Sequence, residues 1–474
     1  METRYIVAIE IGSSKIKGIV GAVDPTAAIS VITVEETDSG DSVRHGRVQN
    51  AREVATRVNE LIRRLENNPQ LAHGRITSVF VSEGGRSVIS RPAEASLNLA
   101  GEVEITTQIL EKLHNEARYN LATDRDVLAI SNRRFVVDHS EVKKFIGSFG
   151  SSVKGEFTVV TVSPENRRNL ERVKIESRGV DIPRTYIPRP IAVAEMVLSD
   201  SDRQVGTLLI DIGSETTTLA IYKDKALQLM ATLPMGGFNI TRDLSIGLGI
   251  PDEAAENIKI TKGHAVADRI KNPDPDPETA EITNYISARA GEIIANVVSF
   301  VDKSGFKLKD LPGGIVITGG GSRLEGLLDM IKSQTKAKVR NAVIDSTISG
   351  APYNTADNVD VIAMVRYAAS SGAPSCIEFP VQQPVTPTPQ PVSTASDIQG
   401  RRQMVPAEND PDLLADDIEQ PYNINEQSDD LNLGEGMPAP DDDPEVTRRG
   451  LLDRIKNWFT APPDAELDNE NLDN

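Results

Sequence analysis

Two short stretches carry the residues best suited to chemistry. Val7-Ala-Ile-Glu-Ile-Gly-Ser-Ser-Lys-Ile-Lys-Gly-Ile-Val-Gly21 and Leu208-Leu-Ile-Asp-Ile-Gly-Ser-Glu-Thr-Thr-Thr-Leu-Ala-Ile-Tyr222 share one plan: an apolar strand, an acidic residue, a Gly-Ser turn and a second apolar strand. Asp211 stands 201 positions after Glu10. In such a hairpin the turn residues, Gly12, Ser13, Ser14 and Lys15 in the first and Gly213, Ser214, Glu215 and Thr216 in the second, aim backbone N–H groups and hydroxyls one way. That makes an anion cradle without requiring basic side chains. The acid before each turn can hold a hydrated Mg²⁺ through its waters, which assigns Glu10 and Asp211 to a metal. Two such turns facing each other would clamp a triphosphate.

Two further glycine elements fit the same ligand. Ile315–Gly326 reads as a strand, a loop of Gly319, Gly320, Gly321 and Ser322, then a helix; the triple glycine lets backbone approach a flat group such as an adenine ring. Pro234–Asn239 places Gly236 and Gly237 between the second hairpin and a helix. Taken singly, each element is more often a plain tight turn. Together and in this order they point to one nucleotide.

The elements that must position these turns form an α/β pattern. Tyr5–Ile11, Ile16–Val23, Ser78–Val81, Phe157–Val162, Thr207–Ile212, Thr217–Tyr222 and Gly314–Thr318 read as strands. Asn50–Leu65, Thr106–Asn120, Pro164–Ser177, Pro251–Lys262, Glu278–Val301 and Arg323–Thr335 read as helices. Two similar halves, each opening with the hairpin, imply a duplicated domain.

Over residues 4–370 these features resemble the ATPases related to actin, the heat-shock chaperones and the sugar kinases, and within them the bacterial cell-division FtsA family. Glu10–Lys15 looks like the first phosphate loop, Asp211–Thr216 the second, Gly319–Ser322 the adenosine loop, and Pro188–Leu198 and Asp360–Ala369 the connecting helices. Glu256 and Lys259 are similar to the pair that contacts ribose in the actin-like branch. The resemblance implies ATP and Mg²⁺ as ligands. Glu10 replaces the usual Asp, and Gly-Ser-Glu-Thr replaces Gly-Gly-Gly-Thr at 213–216. These departures are compatible with binding and argue for at most weak ATPase activity; no motif marks a catalytic base, and the five histidines are scattered, as expected of surface or loop positions.

The resemblance also sets the expected domain plan: residues 1–82 and 163–200 as the first actin-like half, 201–372 as the second with an outer subdomain at 250–310, and 83–162 as the family's inserted small β/α subdomain. Gly147 and Gly150 fit the insert's glycine motif, and self-association or partner docking is its implied role. The tubulin-like division polymer FtsZ would dock its C-terminal tail on the outer subdomain, where Arg289 suits an acidic peptide. Other division proteins are further implied partners.

Charge divides the chain in two. Residues 373–474 hold 22 acids and 6 bases, against 48 and 45 in residues 1–372. A net charge of −19 excludes nucleic-acid binding as the role of the whole chain, since a phosphate backbone needs a basic footprint. One cysteine, Cys376, fits a reducing compartment, and the N-terminus shows no signal peptide. Residues 373–446 contain 12 prolines and a net −14, a composition that cannot offset its ordering entropy and is expected to be a disordered tether.

Residues 447–460 then read Thr-Arg-Arg-Gly-Leu-Leu-Asp-Arg-Ile-Lys-Asn-Trp-Phe-Thr. Leu451, Leu452, Ile455, Trp458 and Phe459 fall on one helical stripe, flanked by Arg454 and Lys456. At 1.5 Å per residue the stripe is about 12 Å long, far too short to span, and suits a helix lying in an anionic membrane surface. An acidic tail, 461–474, follows. The expected whole is a duplicated actin-like fold with an inserted subdomain, a disordered tail and an amphipathic helix. It would be an adaptor anchoring FtsZ at the cytoplasmic face of the inner membrane. The rivals are a pilus-assembly relative, which should lack the final helix, and a sugar-kinase-type phosphotransferase, which has no use for one.

Overall fold

A computed structural model describes residues 3–71, 74–121, 123–266 and 276–380. β1 (Arg4–Ile11) and β2 (Lys15–Val23) pair antiparallel from Arg4↔Val23 to Ile11↔Ile16, and β3 (Ile29–Asp38) extends the meander on β2. α1 (Ala51–Glu66) begins where the Asn50 side chain accepts the Glu53 N–H at 3.1 Å. Its stripe of Val54, Val58, Leu61, Ile62 and Leu65 is buried. Gly18 of β2 permits the close approach of this helix, because a Cβ there would lie 2.1 Å from Leu61 Cδ2. β4 (Val79–Glu83) then joins β1 in parallel.

The chain leaves this sheet to build the insert. β5 (Ile89–Glu104), α2 (Thr107–Asn120), β6 (Asp126–Val137) and β7 (Phe149–Val162) follow, with β7 antiparallel to both β5 and β6. Ile105, Leu113, Phe145 and Phe157 form its separate core. The expected strand Phe157–Val162 is the second half of β7. Gly150 near its start sits so close to β6 that a Cβ would lie 2.3 Å from Val137 Cγ1, and the ladder slips between Gly150 and Ser152.

β8 (Arg184–Pro188) returns to the first sheet beside β4 and runs directly into α3 (Arg189–Val197). The second half repeats the plan: β9 (Thr207–Ile212), β10 (Thr217–Lys223) and β11 (Ala226–Leu233) form a meander. α4 (Gly237–Leu248), α5 (Asp252–Lys262) and α6 (Pro277–Lys303) precede β12 (Gly314–Thr318), which is followed by α7 (Leu327–Thr335) and β13 (Val339–Asn341). α8 (Val359–Ser370) packs beside α3 and against β1 and β2. The strand orders β3–β2–β1–β4–β8 and β11–β10–β9–β12–β13 are the same: three antiparallel strands, then two parallel ones. β1 and β9 are almost wholly apolar because helices cover both faces of their sheets.

The insert bonds to the second half as well as to its parent half. Ile89 of β5 pairs with Ala231 of β11. Beside that pair, the hydroxyls of Ser90 and Ser131 accept the Met230 and Leu227 N–H groups at 2.7 and 2.9 Å. The result is one nine-stranded sheet running from a short edge strand, Ser140–Glu141 paired with β6, to β13.

Three expected boundaries shift. The helix from Pro164 ends at Glu171, because Arg178 and Gly179 take positive φ (51° and 77°) and turn a short hairpin where the helix was expected to continue. The helix expected from Arg323 starts at Leu327, after Gly326 at φ 77°. The body does not stop at Gly372: Cys376 N–H donates to Tyr5 O at 2.6 Å, and Ile377 and Glu378 pair with Ile76 and Arg75. Beyond residue 380 the expected tether, the 447–460 helix and the acidic tail lie outside the described residues. Among those described, no helix is long and apolar enough to cross a membrane.

Candidate nucleotide-binding cleft

The two turns are built alike. Gly12 N–H donates to Lys15 O at 3.0 Å and Gly213 N–H to Thr216 O at 2.8 Å, so each hairpin closes on a four-residue turn. Both turns line a single cleft of about 650 Å³, and Glu10, Gly12, Ser13, Ser14, Lys15, Asp211, Gly213, Ser214 and Thr216 all face it. So do Gly237, Glu256, Lys259, Gly319, Gly320 and Gly321. Residues from both halves, remote in sequence, therefore meet at one place.

α4 and α5 contribute part of the cleft wall. Lys259 Nζ donates to Glu256 Oε2 at 2.6 Å, Thr241 Oγ1 at 2.8 Å and Gly237 O at 3.0 Å, which fixes the expected ribose pair against α4. Burial pushes the Lys259 ammonium below its ordinary pKa, with Glu256 opposing. The triple glycine serves two purposes. Gly319, at φ 84°, would place a Cβ 2.5 Å from Asp211 Oδ1 and from Ile212 O, and Gly321 would place one 2.4 Å from Ile212 Cγ2. Gly320 has nothing within 4 Å of its Cβ position. Two of the three glycines thus pack against β9, and Gly320 is left as the open one.

Three expected contacts are turned elsewhere. The Glu215 carboxylate accepts from Arg44 Nη1 at 2.7 Å and His45 N–H at 2.6 Å, away from the cleft. Gly236 lies behind the second turn, where a Cβ would meet Gly213 O and Ser214 O at 2.5 Å. The Ser322 hydroxyl donates to Gly319 O at 2.7 Å and braces its own loop. Arg289 is not a free cation for an acidic peptide either: Nε and Nη2 hold Asp243 at 2.7 and 2.9 Å, and Nη1 holds Glu292 at 2.6 Å. Two of the histidines sit in loops, as expected, and still make polar contacts. His264 lines the cleft with Nε2 3.3 Å from Glu325, and His45 Nδ1 lies 3.1 Å from Glu215 O.

The acids before the turns are buried, Glu10 at 8% and Asp211 at 5% exposure. Burial pushes the Glu10 carboxyl up to about 7; Asp360 and Asp211 add to the rise, and Arg189 and Lys17 oppose it. Arg189, at the head of α3, donates from Nη1 to Asp211 Oδ2 at 2.9 Å, and its Nε lies 3.9 Å from Glu10 Oε1. Sequence reading assigned this stretch only to a connecting helix; the signal it passed over is a cation inside an otherwise apolar Pro-Arg-Pro-Ile-Ala-Val-Ala run. Lys17 pairs with Asp360 at 3.3 Å across β2 and α8. Seven carboxylates and five cationic side chains line the cleft, so a polyphosphate enters most readily with a divalent cation of its own. Glu10 and Asp211 fit such an ion as hard oxygen donors acting through its waters.

Comparison with known proteins agrees with this architecture. Residues 208–371 match the family model described as cell division protein FtsA, and residues 85–161 match the SHS2 domain inserted in FtsA. A cell division protein FtsA from Porphyromonas gingivalis is 30% identical over 364 residues, covering 73% of this chain and 74% of that protein. Another from Pseudomonas aeruginosa is 27% identical over 384 residues, covering 78% and 88%. A solved structure, the PilM–PilN type IV pilus biogenesis complex, aligns with TM-score 0.50 at 15% identity, covering 77% of this chain and 96% of that one, a likeness of fold. With its duplicated actin-like halves and its insert in the matching place, the chain belongs to the FtsA family of cell-division proteins.

Proposed function

We propose that this chain is an ATP-binding cell-division adaptor that ties FtsZ polymers to the cytoplasmic face of the membrane. The observation that carries the nucleotide part is the meeting of two matching Gly-Ser turns on one cleft that the Glu256–Lys259 pair and Gly320 also line. The turns would hold the phosphates, Glu10 and Asp211 the waters of a Mg²⁺ that neutralises them, and the glycine loop the adenosine. Bound nucleotide would act as a structural and switching ligand, since the cleft residues include no assigned base for rapid hydrolysis.

The membrane part rests on the stripe at 451–459, and the FtsZ and divisome part on family membership. The peptide-docking role falls to the outer subdomain as a surface, without Arg289. The pilus-assembly alternative shares the body's fold at low identity and gives no reason for the final stripe. Titration calorimetry with Mg·ATP and Mg·ADP tests the core of the proposal: the full chain should bind both, and Asp211→Ala should bind at least about tenfold more weakly, equivalent to 1.4 kcal/mol. Absence of heat with the full chain, or unchanged affinity in the variant, refutes nucleotide binding at these turns.

A further inference from the structure

Arg189 occupies the position between the halves that the nucleotide reading gives to a metal. It opens α3 with Pro190 immediately after it, so the start of the helix is stiff and the side chain has a fixed origin. The guanidinium side chain is 16% exposed, bonded to Asp211 at 2.9 Å and 3.9 Å from Glu10. Those two carboxylates end β1 and β9, one from each half. The other nearby cation, Lys17, is engaged by Asp360 and by the Asp357 carbonyl. Two carboxylates facing each other in a poorly solvated gap need a counter-charge, and in this structure the planar fork of Arg189 supplies it.

We propose that Arg189 is an internal counter-ion that stands in for the divalent metal in the nucleotide-free protein and competes with it for Glu10 and Asp211. A hydrated ion can sit between these acids only when the guanidinium swings off Asp211, so free Mg²⁺ alone binds the empty protein poorly. Removing the guanidinium leaves the acids unneutralised and creates a demand for metal that the natural chain lacks. The inference rests on the nucleotide-cleft reading for where the metal goes. Its test contains no nucleotide, so the two can fail separately.

The test is thermal unfolding of the full chain and of Arg189→Met in millimolar MgCl₂, with KCl at matched ionic strength. The natural chain should melt at nearly the same temperature in both. Arg189→Met should melt roughly 5 °C lower in KCl, as expected for breaking a buried ion pair in a protein of this size, and recover most of that loss in MgCl₂. Arg189→Met combined with Asp211→Asn should lose the recovery. An Arg189→Met protein indifferent to Mg²⁺, or a natural chain stabilised as much as the variant, overturns the proposal. Should Arg189→Met not fold, Arg189→Lys keeps the charge and loses the fork; it should show a larger Mg²⁺ response than the natural chain, and an equal response overturns the proposal too.

Discussion

At the scale of single residues, the glycine loop separates packing from binding. Gly319→Ala asks an L side chain to hold φ 84° against backbone oxygen at 2.5 Å, whereas Gly320→Ala adds a methyl to open space. Gly319→Ala should cost about 2–3 kcal/mol of stability and Gly320→Ala close to none. Chemical denaturation reads this directly, and equal stabilities of the two variants would contradict the assignment. The two turn sequences were legible because a hairpin turn is settled by neighbours along the chain: Gly12–Lys15 and Gly213–Thr216 close on their own hydrogen bonds. Arg189 and the Glu215 carboxylate were not. Their partners lie 22 and about 170 residues away, and no local pattern encodes which side chain a folded sheet will deliver to them.

At the scale of elements, a short hairpin of Val43–Arg44 and Arg47–Val48 holds both turns at once. Gly46 N–H donates to Ser13 Oγ at 2.7 Å in the first turn, while Arg44 and the His45 N–H grip Glu215 in the second. Glu215→Ala should therefore loosen the first turn as well as its own, raising amide exchange across 12–16 and 213–217 and costing about 2 kcal/mol. Arg44→Ala should cost less, about 1 kcal/mol, because the arginine is itself nearly half-exposed and the His45 N–H still holds the buried Glu215 carboxylate without it. Faster exchange confined to 213–217 would mean that the hairpin does not couple them. The insert's strands were harder to read than the hairpins. β5 carries Pro92, Glu94, Asn98 and Gly101, a poor strand composition, and is tolerated because one of its sides is unpaired over most of its length. Helices α3 and α8 were legible only through the family resemblance, since segments buried nearly all round lose the amphipathic period.

At the scale of the whole molecule, the proposed anchor at 451–459 would serve the body only if weak anchors were summed. Five apolar side chains partly buried in a membrane surface would give several kcal/mol at best, so one anchor would bind reversibly and an array on a polymer firmly. Full-length protein should float with anionic vesicles, less so as salt rises, and a chain ending at Val446 should stay in the soluble fraction. Equal flotation of both would remove the anchor.

The position of the insert has a mechanical consequence. It is covalently continuous with one half and pinned to the other through Ile89 and Ser90 at the start of β5 and Ser131 midway along β6. At about 3.3 Å per residue, β7 extends roughly 30–40 Å from Thr158 and Thr161, its residues beside those pins, to Phe149. A change of roughly 5° in the angle between the halves would sweep the Phe149 tip through about 3 Å, more than half the spacing between neighbouring strands. Small adjustments around a phosphate would thus be read out, magnified, on a distant outer surface.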